Sequence, residues 1–385
     1  MLKRGSIVDI RKAAAVLIAA VIALILMRGP SLAYGAPGSE GELTLRKAVE
    51  LAWERSPEVR AAEAQARKAW EQREEASERV RLLGYIPAPG LNVRPEADAC
   101  WVGLLMADAS WQMAERDLKD KKESLAQQVA QAYYDVIIAS QEVEKHRSQA
   151  LLAERALVVA RARYNAGMAT RFDLAEPEAR LIAAQKALAA SQEAQSKAYI
   201  ALNRLIGLPP EARPEPTDVP REFSPLVVHS LEAEVSRALD SSAALYKARK
   251  AVEMAQWKVD YPYATGQHLK YNLATADLEV AHGNLQLAQE QIKEKVRSTY
   301  QDIRALEEKI GAQEAQVKLA EEAARLAQIR FEAGAAIKLE VDKAEAALAE
   351  AKAQLQSLYC QHAKALAGWR YLTGRRSPLK LKSPL

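Results

Sequence analysis

Residues 125–167 read LAQQVAQAYYDVIIASQEVEKHRSQALLAERALVVARARYNAG, and residues 292–334 read IKEKVRSTYQDIRALEEKIGAQEAQVKLAEEAARLAQIRFEAG. The two strings keep one register without a gap. Tyr133 falls on Tyr300, Asp135 on Asp302, Arg163 on Arg330, Tyr164 on Phe331 and Gly167 on Gly334, and further along Leu181 falls on Leu348 and Gly207 on Gly374. The correspondence runs from Leu125–Leu205 to Ile292–Leu372, as expected when one structural unit has been duplicated.

Within the first copy Leu125, Val129, Ala132, Val136, Ala139, Val143, His146, Ala150, Ala153, Leu157, Ala160 and Tyr164 advance in alternating steps of four and three residues. That is the heptad seam of a coiled coil. Its image runs through Ile292, Val296, Ile303, Leu306, Ile310, Val317, Ala320 and Phe331, with Thr299 and Gln313 as polar interruptions. After Gly167 the pattern restarts as Leu174, Leu181, Ala184, Leu188, Ala198, Leu202 and Leu205, mirrored by Val341, Leu348, Ala351, Leu355, Ala365, Trp369 and Leu372. Each repeat is therefore an antiparallel helical hairpin, and the fold class is all-α with two tandem coiled-coil hairpins. Gly167 suits a left-handed C-terminal cap, and Thr170 with Asp173 reads as a capping box that opens the return helix. Gly334 repeats the stop, but Ile337 stands where Thr170 stood. Pro177 lies inside the return helix and predicts a kink.

Alanine is abundant and Phe occurs only 3 times in 385 residues, which suits long, closely packed helices better than a thick globular core. Helices are expected at about 108–165 and 272–332, each matched in length by two shorter ones placed end to end: 57–83 with 172–206, and 242–260 with 338–373. Lys3, Arg4, Arg11 and Lys12 precede an apolar run from Ala13 to Met27 and a small-residue stretch, so residues 1–35 read as a secretory signal peptide, with an uncleaved anchor as the alternative. Those residues carry the whole basic excess behind the pI of about 8.8. Beyond them acids and bases balance, which leaves no electrostatic footprint for nucleic acid. The remaining plan is a first repeat at 43–207 with an insertion at 84–107, a Pro-rich extended linker at 208–225, a second repeat at 226–374 with an insertion at 260–271, and a tail at 375–385. Ser56-Pro57-Glu58 marks a helix start in the first repeat, and Asp240-Ser241-Ser242 stands at the matching break in the second.

These motifs together resemble the TolC-like outer membrane efflux protein family. The resemblance is carried by Leu43-Thr44-Leu45 with Ala48, Ser56-Pro57-Glu58, Ala130 to Asp135, Arg163-Tyr164-Asn165-Ala166-Gly167 with Asp173-Leu174, and Leu202 to Gly207, spread over about residues 43–374. It implies a homotrimer whose hairpins form a hollow α-barrel joined to a membrane β-barrel. Such ducts stand in the outer membrane or on the periplasmic side of the envelope. They dock by their helical tips on a periplasmic adaptor and an inner-membrane pump, which supplies the energy. The tips Gly167-Met168-Ala169 and Gly334-Ala335-Ala336 are then the adaptor contact. Asp173 and Glu340, just past the two glycines, fall at positions that contribute to a constricted aperture; the plainer reading is that both acids stabilise helix N-termini.

One departure is expected to matter. Two membrane-crossing strands and a turn need about 20 residues. The second insertion is too short, and Pro87, Pro89 and Pro95 break up the first. The family's strands are therefore shortened or missing. What the insertions do offer is aromatic: Trp101, Trp111, Tyr261 and Tyr263, suited either to a membrane interface or to capping the end of the bundle. No phosphate-binding loop, nucleophile elbow or paired metal-ligand spacing is present, so neither a cofactor nor catalysis is expected. Cys100 and Cys360 fall too far apart along the hairpins to pair within one chain, which leaves pairing between chains open. The expected function is an exit duct for efflux or secretion; the alternative is a non-conducting structural coiled-coil protein of the cell envelope.

Overall fold

The computed structural model describes residues 42–82, 95–261 and 271–375. In chain order its elements are β1 (Glu42–Leu43), α1 (Leu45–Arg55), α2 (Pro57–Leu82), α3 (Pro95–Asn165), α4 (Arg171–Ile206), β2 (Glu215–Pro216), α5 (Leu231–Ser241), α6 (Ala243–Asp260), α7 (Tyr271–Glu332) and α8 (Lys338–Leu372). Helices α5–α8 repeat the plan of α1–α4. The long members, α3 with 71 residues and α7 with 62, reach about 90–105 Å at 1.5 Å per residue.

Serines punctuate both copies in the same way. Thr44 caps α1 by accepting the Lys47 amide at 3.2 Å, and Ser56 ends α1 while its hydroxyl takes the Val59 amide of α2 at 3.4 Å. In the second copy Ser230 takes the Ala233 amide at 3.3 Å and Ser242 the Leu245 amide at 3.2 Å. Each hydroxyl satisfies one of the orphan donors of a helix start, worth about 1 kcal/mol.

The helices form a single layer. Toward Gly167 and Gly334 the order across it is α4, α3, α8, α7; toward the other end it is α2, α3, α6, α7. Helix α7 is therefore one free edge along the whole layer, and α4 with α2 is the other. The core sits at mid-length, where Val49 and Ala52 of α1, Val129, Tyr133 and Val136 of α3, Leu202 and Ile206 of α4 and Cys360 of α8 meet. A second cluster joins Val235 and Ala238 of α5, Val296 and Ile303 of α7 and Trp369 of α8.

One sequence expectation needs correction. The first insertion does not extend to residue 107, because α3 already begins at Pro95. Proline is tolerated as the first residue of a helix, where its missing N–H is needed by no one. Val102 and Ala109, one heptad apart, then bury the new stretch. As expected, Pro177 lies inside α4, and the helix continues through it. Residues 1–41, 83–94, most of the second insertion with Tyr263, and the tail beyond Arg375 lie outside the described residues, so the signal-peptide reading is not addressed by them. No helix among the described residues is long and apolar enough to cross a membrane.

The Pro-rich linker is a belt around the equator, latched to each helix it crosses by a polar side chain. Asn203 of α4 donates to the carbonyls of Pro209 and Ala212 at 3.0 and 2.8 Å. Tyr133 of α3, fully buried, donates its hydroxyl to the Leu43 carbonyl at 2.7 Å and accepts the Asp218 amide at 2.9 Å, beside the parallel pairing of β1 with β2. Gln356 of α8 donates to the Pro220 carbonyl at 2.6 Å, and Glu307 of α7 accepts the Leu226 amide at 2.6 Å. Between these last two, Phe223 packs edge-on against His362.

His362 is buried, and its Nε2 lies 3.5 Å from the Glu307 carboxylate without a hydrogen-bond partner. Burial lowers its pKa below the usual 6.5, with Glu307 pulling the other way. The contribution of the neutral ring is complete above the unfolded value and is lost as pH falls through the lowered folded value. The thermal midpoint is expected to drop below about pH 6.5, and His362→Gln to flatten that drop. An equally steep drop in the variant would assign it to other groups.

Candidate functional site

The two glycine turns at the hairpin tips repeat each other bond for bond. Gly167 and Gly334 adopt φ of 73° and 72°. The Gly167 amide donates to the Tyr164 carbonyl at 2.9 Å and the Met168 amide to that of Arg163 at 2.9 Å; Gly334 and Ala335 do the same to Phe331 and Arg330 at 2.9 and 2.8 Å. This is the Schellman closure, whose left-handed residue favours glycine. A Cβ at either glycine would meet open space, so a side chain there costs only the backbone strain of about 1–2 kcal/mol.

Around these turns the apolar surface is larger than the sequence reading allowed. Met168 is 75% exposed and Phe172 is 85% exposed, with Tyr164, Phe331 and Ile337 partly covered beside them. Phe172 was missed because it lies off the heptad seam. The rarity of its residue type was the available signal: of the 3 phenylalanines, Phe172 and Phe331 stand at the tips and Phe223 in the belt.

The two candidate aperture acids are not equivalent. Asp173 closes the capping box, its Oδ2 accepting the Thr170 amide at 2.7 Å and the Thr170 hydroxyl at 2.8 Å, while its own amide donates to that hydroxyl at 3.3 Å. These bonds hold its pKa below the usual 3.8. Glu340 is exposed and starts α8 without a side-chain cap at Ile337. Nearby, an ion pair joins the repeats: Arg155 of α3 reaches the largely buried Asp342 of α8 at 2.8 Å, with Lys338 at 3.8 Å. Sequence reasoning missed this pair because its image positions, Glu322 and Ala175, cannot form it.

At the opposite end Trp101 and Tyr261 are half-buried, and Trp111 lies under the Arg73 guanidinium at 5.3 Å. Arg73 also bonds Asp108 at 2.9 Å, so α2 and α3 are tied together there. Cys100 and Cys360 are both free, and burial pushes the Cys360 thiol up to about 11, where it is inert. Among the described residues no group of His, Cys, Asp or Glu is placed to hold a metal ion.

Residues 104–208, most of α3 and all of α4, match the family model of the outer membrane efflux proteins. The layer also superimposes on the outer-membrane channel OprN with a TM-score of 0.66, covering 86% of this chain and 89% of that one at 17% identity. This is the outer membrane efflux protein fold. VceC of Vibrio cholerae (TM-score 0.61, 16% identity, 86% of this chain and 96% of that one) and CmeC of Campylobacter jejuni (TM-score 0.60, 12% identity, 86% and 85%) share it. No curated protein matches the chain by sequence. The family resemblance read from the motifs is thus borne out, as is the all-α plan of two hairpin repeats. In the channels that share this efflux fold the likeness extends over most of both chains. At these identities it is a likeness of fold.

Proposed function

We propose that this chain is the subunit of an exit duct in an efflux or secretion assembly, exported to the outer membrane or the periplasmic side of the envelope. The observation that carries the reading is the open helical layer. Its α7 edge exposes Leu273, Val280, Leu287, Leu319 and Leu326, and its other edge exposes Trp70, Ile182 and Ile200. A layer with two different apolar edges is satisfied head to tail, and head-to-tail contacts that close give a ring. The family resemblance puts three copies in that ring and a lumen inside it. Transport energy then comes from a pump in the inner membrane, and the duct needs neither cofactor nor catalytic residue.

The tips around Gly167-Met168-Ala169 and Gly334-Ala335-Ala336 are the contact for a periplasmic adaptor, supported by the exposed Met168 and Phe172. Three copies place Asp173 and Glu340 around the same mouth. Glu340, the acid without a capping bond, is the one to set cation preference there. A strain lacking the chain is expected to retain a fluorescent efflux dye and to lose it again on complementation. Unchanged dye retention with a weakened envelope would favour the structural coiled coil instead.

Membrane contact is peripheral in this reading. Residues 83–94 and 261–270, which join α2 to α3 and α6 to α7, are each shorter than the about 20 residues that two crossing strands and a turn require. Trp101, Trp111 and Tyr261 mark the end that meets the lipid interface. Alkaline carbonate should release the protein from membranes without detergent, and its circular dichroism should be nearly all helical. Detergent-dependent extraction with a substantial β component would contradict this.

A further inference from the structure

The two hairpins set equivalent positions against each other. Gln195 of α4 donates to the Ser140 hydroxyl of α3 at 3.0 Å, and the residues in the same places on α8 and α7 are His362 and Glu307, 3.5 Å apart. The glycine turns at the tips repeat in the same way. The contact between the repeats, α8 on α3, is therefore a template for one that a single chain cannot make: α4 of one copy on α7 of the next.

The free surfaces fit that template. Leu152 and Val159 are half-buried on α3, which has neighbours on both sides, whereas their images on the α7 edge, Leu319 and Leu326, are 66% and 49% exposed. Gln127 of α3 lies against Gly368 of α8, and Tyr134 packs into the cluster that holds Cys360. The images of that glutamine and tyrosine, Glu294 and Gln301, line an open groove on α7. Ala201 on α4 is the image of Gly368 and is also small enough for close approach.

Polar contacts then choose a specific pair. Between α8 and α3 these are Asp342 with Arg155, Lys364 with Asp135 at 2.5 Å, and Tyr371 with Asp120 at 3.0 Å. Their images are Ala175 with Glu322, Lys197 with Asp302, and Arg204 with Leu287. Of the three, the lysine–aspartate pair alone returns with both charges. Among the described residues Lys197 and Asp302 are exposed, and neither meets an opposite charge within its own chain.

We propose that Lys197 of one copy pairs with Asp302 of the next at every seam of the ring, as Lys364 pairs with Asp135 inside each chain. The ring itself rests on the duct reading; the pair is an added specification of its interface, setting which edges meet and at what height. The mature protein carrying Cys100→Ser, Lys197→Cys and Asp302→Cys, treated with a short bis-maleimide, should give covalent dimers and trimers on denaturing gels. Either cysteine alone should give monomers. Lys364→Cys with Asp135→Cys, in the same background, should link within one chain and stay monomeric. Helical circular dichroism confirms that each variant is folded. Asp302→Lys should weaken the ring on the order of tenfold, three like-charge pairs forming at once, and adding Lys197→Asp should restore it. A folded double-cysteine variant that stays monomeric on the gel while light scattering still reports an intact ring would overturn the pair and leave the ring standing. A monomer by light scattering in the unmodified protein would overturn both.

Discussion

Tyr133→Ala is expected to destabilise the mature protein by about 3–5 kcal/mol, among the largest effects of any single substitution. The side chain is fully buried among Val129, Val136 and Leu202, and truncation leaves a cavity that the long, straight helices cannot close. Its hydroxyl adds a second cost, because it alone bridges the Leu43 carbonyl and the Asp218 amide where the belt crosses α3. Tyr133→Phe isolates that part and is expected to lose about 1–3 kcal/mol by leaving a buried polar group unpaired. Thermal melting at fixed protein concentration checks both, since an oligomer's midpoint moves with concentration. A variant alanine melting within a degree or two of the wild type would mean that the equatorial core does not hold the layer.

Met168→Asp combined with Phe172→Asp is expected to abolish dye efflux while leaving helicity and the melting temperature unchanged. Both side chains stand free of the layer, so their loss removes no packing, and two charges placed on the apolar tip are costly to desolvate against any partner. The glycines are left alone in this design so that the Schellman turns stay closed. Wild-type efflux in the double variant would move the partner contact away from the tips.

How much of this was legible in the sequence follows the range of the forces involved. The heptad seam, the ends of α4 and α7, the tip glycines and the box of Thr170 with Asp173 are all set by residues within a turn or two of each other, and their spacing states them. The start of α3 was placed too late because the prolines before it were read as breaking the whole insertion, although Pro95 itself opens the helix. The pairing of β1 with β2 was not legible, since two residues a side leave no periodic trace. Nor was the route of the belt, which depends on Asn203, Tyr133, Gln356 and Glu307 meeting backbone groups distant in sequence. At the tips the turn was legible but its chemistry was incomplete: of the two most exposed apolar residues there, Met168 lies in the tip triplet and Phe172, next to the capping box, lies outside it. Asp173 could be read either way from its position alone, and only the bonds to Thr170 give it a definite structural task.

The central claim is that the open layer closes on copies of itself into a hollow duct. Projection images of the purified mature protein, viewed end-on by electron microscopy, test it most directly. A ring with three-fold symmetry and a stain-filled centre is the expected result, whereas isolated thin rods or a solid bundle would contradict the account.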